Sequence, residues 1–380
     1  MHILMLGWEF PPHSIGGLGR HTYELLRAMS KKNLIISIIL PFSDYKVIPG
    51  IKFLSVSLIK SSSVYNFIKN PSTLSLYGEL STEVEEYAKK SIELATAESF
   101  DLIHANDWIT GRAGVEIKRR FGKPLLMTVH STEYDRTLGH PQYWIEQEER
   151  NAILNADRII TVSERLRQQL IKNYGVSAEK IGVIHNAIDI SKFYGNLKMR
   201  DPKMILYVGR LSLQKGVDHL LKAFKIVAEN DKDVMLYITG EGPQLKDLID
   251  LSIDLKLGDR VVFTGKISDE AMKQLYSKTS VFVMPSVSEP FGITALEAVA
   301  SMAPTIISIQ SGVSEILKNV FKVDFWDIRQ MADMIIGLLQ YPAIKEQMSS
   351  QAYTELATAT WEAASDKFIE VYKRLIGDLT

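Results

Sequence analysis

Cysteine is absent from all 380 residues. That absence removes disulfide scaffolds, thiol nucleophiles, Cys-ligated zinc and iron–sulfur clusters together, so any chemistry here uses oxygen and nitrogen groups. There is no excess of either charge. Lys and Arg number 44 against 45 Asp and Glu, a formal net charge of −1, and no summed field draws the chain to nucleic acid. Long apolar runs are also missing. The longest, residues 34–40, falls far short of the roughly 20 residues a membrane-spanning helix needs. Residues 1–6 are too brief for a secretory signal core and lack a basic leader. The expectation is a cytoplasmic protein with no transmembrane segment and no nucleic-acid partner, with peripheral membrane contact through an amphipathic helix left open. At 46% hydrophobic and 23% charged residues the composition is that of an ordinary packed body, and the length suits two domains.

Short β-rich apolar runs alternate with longer segments of helical period, the pattern of βα units and parallel sheets. In the first half the strands are expected at residues 2–6, 34–40, 102–105, 125–129, 158–162 and 181–184, with helices over 17–29, 79–96 and 164–173 among those between them. The cycle restarts with strands at 204–208, 234–239, 261–264, 281–284 and 305–308. Between the two cycles lies a polar, turn-rich stretch, 185–202, containing Asn186, Asp189, Gly195, Asn196, Asp201 and Pro202. The expected domains are therefore 1–190 and 200–360, with 361–380 a helix packing back on the first. Residues 61–75, with three consecutive serines and Pro71, read as an irregular loop. The fold class is α/β, two facing Rossmann-like doubly wound domains. Open parallel sheets bind ligands at the carboxyl ends of their strands, so a ligand is expected in the cleft between them.

Four groups of residues stand at such ends. Gly16-Gly17-Leu18-Gly19 opens the first helix; it is either a backbone that approaches a phosphate or sugar closely, or a turn needing positive φ. His130-Ser131-Thr132-Glu133 follows a strand, and is either a cleft-lining group or a local cap; no G-x-S-x-G elbow supports a hydrolase. Arg210 and Lys215 sit between a strand and a helix N-terminus, where two cations are unfavourable unless an anion joins them, which points to a bound diphosphate. Glu289 and Glu297 bracket Pro290-Phe291-Gly292-Ile293-Thr294, where a helix is expected to begin near Phe291 with its free N–H groups turned to the ligand. Eight helical steps set the two glutamates roughly 12 Å apart, too wide for a glycosidase carboxylate pair and suited to two ends of an extended ligand. No H-E-x-x-H motif is present, and Asp231-Lys232-Asp233 reads as a solvated turn.

Taken in order, these groups resemble the family 4 nucleotide-sugar glycosyltransferases, with the GT-B architecture. The resemblance covers nearly the whole chain and also rests on Ile184-His185-Asn186-Ala187-Ile188-Asp189, Gly209-Arg210-Leu211 with Lys215-Gly216, and Gly240-Glu241-Gly242-Pro243. It implies a nucleotide-diphosphate sugar as donor substrate, a hexose transferred with retention, and neither metal nor other cofactor. By that likeness His130, Arg210, Lys215 and Glu289 form the catalytic group. Arg210 and Lys215 hold the diphosphate, and Glu289 faces the donor sugar as a positioning or electrostatic residue. The donor-binding set is Gly16 and Gly17, the backbone from Phe291 through Gly292 and Ile293 to Thr294, Glu297 on the ribose hydroxyls, and Gly265 with Ile267 on the base. Glu133, Arg136 and Asp107 are assigned to the acceptor.

The opening Gly7-Trp8-Glu9-Phe10-Pro11-Pro12, with Asn106-Asp107-Trp108 and residues 130–136, is similar to the glycogen synthase-like branch, which implies a glucosyl donor and a glucan or other glycan acceptor. The chain departs from that branch at Asn106 in place of His, Met302 in place of Gly, and Ser311-Gly312 in place of two glycines. Met302 and Ser311 are expected on the donor phosphate side. Two other functions are open to this architecture: a sugar-nucleotide epimerase or phosphorylase, and a catalytically weak sugar-nucleotide-binding subunit.

Overall fold

The computed structural model of the chain describes residues 1–13, 16–58, 74–193 and 200–377. Of the expected loop at 61–75, residues 61–73 lie outside the described residues, as do 194–199 within the 185–202 stretch. The chain divides into two compact units, Met1–Asn186 with Trp361–Thr380, and Ala187–Thr360.

The first unit is built on β1 (His2–Leu6), β2 (Ile35–Leu40), β3 (Ile51–Ser55), β4 (Leu102–Asn106), β5 (Leu125–Val129), β6 (Arg158–Thr161) and β7 (Ile181–Val183). Among the described residues they form one sheet in the order β3-β2-β1-β4-β5-β6-β7, with every pairing parallel. All residues of β4 and β5 are buried, as expected of strands covered on both faces. The covering helices are α1 (Gly17–Met29), α2 (Leu74–Thr96), α3 (Trp108–Phe121), α4 (Glu133–Arg136), α5 (Tyr143–Asn155) and α6 (Glu164–Tyr174). Local chemistry sets their ends. Ser163 Oγ accepts from Leu166 N at the start of α6, and Gly175 closes it in the left-handed conformation.

The second unit repeats the plan with β8 (Met204–Val208), β9 (Met235–Thr239), β10 (Val261–Gly265), β11 (Val281–Met284), β12 (Thr305–Ser308) and β13 (Phe321–Val323), ordered β10-β9-β8-β11-β12-β13 and again all parallel. Its helices are α7 (Val217–Asn230), α8 (Leu245–Asp254), α9 (Asp269–Lys278), α10 (Ile293–Ala300), α11 (Ile328–Gln340) and α12 (Pro342–Glu355). Its core joins Ile205, Tyr207, Phe224, Ile238 and Val283, each such buried side chain worth about 1.5–3 kcal/mol of transfer free energy.

The last helix, α13 (Trp361–Gly377), belongs to the first unit. Its Trp361, Ala364, Phe368 and Tyr372 are buried at helical spacing, and Tyr372 OH lies 2.7 Å from His104 Nδ1 on β4. Lys31–Glu362 and Lys32–Asp366 pair α13 with the end of α1 at 2.9 and 2.7 Å; such exposed pairs contribute about 0–1 kcal/mol, so the aromatic face holds the helix.

Two strands have no counterpart in the sequence pattern, β3 and β13. Both are sheet edges. In β3 only Ile51 is buried and Lys52 is exposed, and β13 has three residues; a half-exposed or very short strand carries no continuous apolar run. Among the described residues no helix is long and apolar enough to cross a membrane.

Candidate active site

Each sheet order reverses once, between β1 and β4 in the first unit and between β8 and β11 in the second. Ligands of doubly wound sheets bind outside the carboxyl ends at such a reversal. In the second unit the chain leaving β8 carries Arg210 and Lys215, and the chain leaving β11 carries Glu289.

These loops are held by backbone pairing that continues past the strands. Gly209 N donates to Thr239 O (3.0 Å), Leu211 N to Glu241 O (2.9 Å), Gln244 N to Leu211 O (3.0 Å) and Gly240 N to Gly265 O (3.0 Å). Gly240 has φ +135°, and a Cβ there would stand 2.0 Å from Gly209 O, so the Arg210 loop can lie this close only against a glycine. Lys215 ends a 3-10 turn whose Gln214 O accepts from Val287 N at 2.9 Å. Glu289 is fixed on both sides, its N–H donating to Gln310 O (3.0 Å) and its carbonyl accepting from Gly312 N (2.9 Å).

Lys215 Nζ then donates to Glu289 Oε2 at 2.6 Å, with Ser286 Oγ 3.3 Å from the same oxygen. The anion that two cations beside a helix N-terminus call for is, for Lys215, already in the chain. Arg210 is near enough that its charge and that of Glu289 both act on the Tyr207 hydroxyl, which burial pushes well above its ordinary pKa and which donates to Arg210 O at 2.8 Å.

The helix expected from Phe291 begins at Ile293 instead. Gly292, at φ +112°, is the N-cap and interrupts the helical backbone. Glu289 and Glu297 are thus not separated by eight helical steps, and each has its own partner: Glu297 Oε2 accepts from Tyr276 OH at 2.9 Å. Phe291 is buried and its carbonyl accepts from Val313 N at 2.7 Å, while Ile293 and Thr294 are partly exposed at the start of α10, whose first turn has no acidic residue. Gly265 ends β10, with Ile267 partly buried just beyond it.

The two departures expected on the donor phosphate side, Ser311 and Met302, fall at different ends of the sheet. Ser311 lies on the carboxyl edge in a parallel bridge with Glu289. Met302 does not: it follows the C-terminus of α10 and precedes the amino end of β12, so the expectation that it stands on the donor phosphate side is corrected. Its φ of +61° explains why a glycine suits that position.

In the first unit the carboxyl edge gathers Glu9, Asp107 and His130. Glu9, buried after β1, accepts from Gly16 N through Oε2 at 3.2 Å. Gly16 is the extended N-cap of α1, and Gly17, its first residue, is exposed. Asp107 follows β4 at φ +65°, a strained conformation for a non-glycine residue. Its carboxylate accepts from the Trp108 and His130 amides. Burial pushes it up to about 6, with the Glu9 charge adding to the rise and Arg136 opposing it.

His130 packs edge-on against His21, ring centroids 4.4 Å apart. His21 Nδ1 lies 2.8 Å from Asn186 Oδ1; an amide oxygen only accepts, so His21 carries its proton on Nδ1. His104 is held between Tyr372 OH and Thr128 Oγ1, both at 2.7 Å. Burial lowers His21 to about 4, His104 to about 3 and His130 well below the usual histidine value, so all three rings are neutral at pH 7. Folded-state values below the unfolded 6.5 mean stability present above pH 6.5 and lost as pH falls toward 4. Asp107 and Glu149, raised to about 6 and about 7, shift the balance the other way over the same range. NMR titration of imidazole nitrogens is expected to show these three rings unprotonated from pH 8 to 5; a His130 signal titrating near 6.5 overturns this.

Glu133 and Arg136 pair with each other inside the fold. Their side chains are 5% and 2% exposed. Arg136 Nε donates to Glu133 Oε2 at 2.8 Å and Nη1 to Ser131 Oγ at 2.9 Å, and Nη2 pairs with Glu149, which in turn accepts from Glu133 N at 3.0 Å and from Tyr174 OH. The two residues assigned to the acceptor are thus tied into a buried ion-pair network. Glu9, His21, His104, Glu149 and Tyr276 have no part in the sequence assignments; for His21 the available signal is its place on the apolar face of α1 with Leu18 and Leu25. Among the described residues no group of three or more His, Asp or Glu side chains could hold a metal ion.

Residues 15–192 match the family described as Glycosyltransferase Family 4, and residues 191–355 match Glycosyl transferases group 1. An uncharacterized glycosyltransferase of Methanocaldococcus jannaschii is 31% identical, covering 84% of this chain and 83% of its own. The glycogen synthase of Mycobacterium tuberculosis is 27% identical over 98% of this chain and 94% of its own. Among solved structures, a sucrose-phosphate synthase from Thermosynechococcus elongatus superposes with a TM-score of 0.83 at 22% identity, over 99% of both chains. The two reversing Rossmann-like sheets and these matches lead to one conclusion: the chain belongs to the family 4 glycosyltransferases of GT-B architecture.

Proposed function

We propose that this glycosyltransferase moves a hexose, glucose, from a nucleotide-diphosphate sugar to a glucan or other glycan, with retention of configuration and without a metal or other cofactor. The observation that carries the reading is the Lys215–Glu289 pair beside Arg210 at the sheet reversal of the second unit. A diphosphate exchanges with Glu289 for Lys215 and adds Arg210 and the N–H groups at the start of α10, which together offset the charge that develops on the leaving phosphate. Glu289 then stands beside the sugar as an electrostatic residue. Glu297 takes the ribose hydroxyls, and Gly265 with Ile267 lies on the base. In the first unit the neutral His130 offers a lone pair or an N–H to a sugar hydroxyl, Gly17 offers exposed backbone beside the partly buried Gly16, and Asp107 serves the acceptor. Similarity to a glycogen synthase along almost the whole chain supports the choice of glucose and glucan.

Thermal stabilisation by UDP-, ADP- and GDP-sugars tests this. The true donor at 100 times its Kd adds about 2.7 kcal/mol, and turnover on a glucan with that donor releases the nucleoside diphosphate and forms a bond of unchanged anomeric configuration. Binding without turnover on any glycan sinks the transferase reading for this chain; inverted product sinks retention alone.

A further inference from the structure

Tyr276 is a fully buried tyrosine whose hydroxyl is spent on a carboxylate. It lies on α9 at 0% exposure, its ring edge-on to Phe193 (6.5 Å between centroids) and tilted against Phe282 of β11 (5.7 Å). Those contacts fix where the hydroxyl points, and it donates to Glu297 Oε2 at 2.9 Å. Glu297 itself is 3% exposed. A glutamate side chain has three torsions, and its last one is broad and roughly two-fold, so burial alone does not set the plane of its carboxylate. A donor held by two aromatic rings does. An ionised carboxylate has about four lone-pair directions; one taken by Tyr276 orients the group and leaves acceptor capacity for a ligand. A vicinal diol donates two O–H groups, and it gains both hydrogen bonds only when the carboxylate plane matches the diol.

We infer that Tyr276 is a positioning residue that sets Glu297 for the two ribose hydroxyls, and that the Tyr276–Glu297 contact makes the enzyme select a ribonucleoside over a 2′-deoxyribonucleoside diphosphate donor. This rests on the reading of Glu297 as the ribose residue.

The test uses the full chain and whichever of UDP, ADP and GDP stabilises it most, together with the 2′-deoxy form of that nucleotide. Titration calorimetry gives the ribo-to-deoxyribo affinity ratio for wild type, Glu297→Gln and Tyr276→Phe. Wild type is expected to prefer the ribonucleotide by about 10-fold or more, as for a lost hydrogen bond to a charged group. Glu297→Gln is expected to abolish the preference. Tyr276→Phe keeps the ring and is expected to lower the ratio several-fold and raise KM for the donor, with kcat within about twofold of wild type. A purely structural role would weaken both nucleotides equally and leave the ratio unchanged. An unchanged ratio in Tyr276→Phe, where Glu297→Gln loses it, overturns the positioning role; a ratio that survives Glu297→Gln overturns the ribose assignment and this inference with it. If Tyr276→Phe fails to fold, Phe193→Leu loosens the ring and keeps the hydroxyl: a reduced ratio supports the inference and an unchanged one overturns it.

Discussion

Turnover is expected to fall on the order of 100-fold or more when Lys215 or Arg210 is replaced by alanine, the usual cost of removing one preorganised electrostatic stabiliser. Steady-state release of nucleoside diphosphate from the donor measures it. The two substitutions differ in a second readout. Lys215→Ala strands the Glu289 carboxylate, which is 9% exposed and has Lys215 as its ion-pair partner at 2.6 Å, so it also lowers stability, and rates are to be compared below the transition temperature. Glu289→Gln works in the opposite sense on binding. In the unliganded chain Glu289 competes with any anion for Lys215, so removing its charge is expected to leave nucleoside diphosphate affinity equal or tighter while turnover falls. Near-normal turnover in both cation variants removes the catalytic assignment; weaker nucleotide binding in Glu289→Gln removes the exchange of partners at Lys215.

Gly240→Ala is expected to destabilise the second unit by about 3 kcal/mol or more. Two costs add. At φ +135° an L-residue is strained by about 1–3 kcal/mol, and a Cβ placed 2.0 Å from Gly209 O forces the β8 and β9 exits apart, an overpacking cost of about 1–3 kcal/mol. For a unit of this size that is a fall in Tm of roughly 6–12 °C. Gly337→Ala is the matched control. It lies within α11 with nothing inside 4 Å of an added Cβ, and is expected to gain about 0.5–1 kcal/mol from helix propensity. Thermal or urea unfolding of the pair decides: equal stabilities mean that the loop after β8 does not lie against Gly240. Because Arg210 sits in that loop, Gly240→Ala is also expected to lose activity at temperatures where it is still folded.

Much of this architecture is written in local pattern. The alternation of apolar runs and helical periods places the interior strands of both sheets, because strands buried on both faces must be apolar at nearly every position, as β4 and β5 are. Glycine-rich and charged stretches directly after those strands stand at the carboxyl edges of the sheets, since a polar group at a strand exit has little to do in a core. The same reasoning fails at β3 and β13, where one-sided burial leaves the pattern too thin, and at α10, where the conformation of Gly292 moves the helix start by two residues.

Which of those polar residues meet is a different kind of information. The sequence determined the elements and the residue types at their exits. Only the tertiary structure decided that Lys215 is neutralised by Glu289 across 74 positions, that His21 is tied to Asn186 across 165, and that Arg136 is shared between Glu133 and Glu149. Periodicity and capping act over a few residues, whereas these contacts depend on strand order and on which side of each sheet a loop falls, and those are settled by the packing of whole elements.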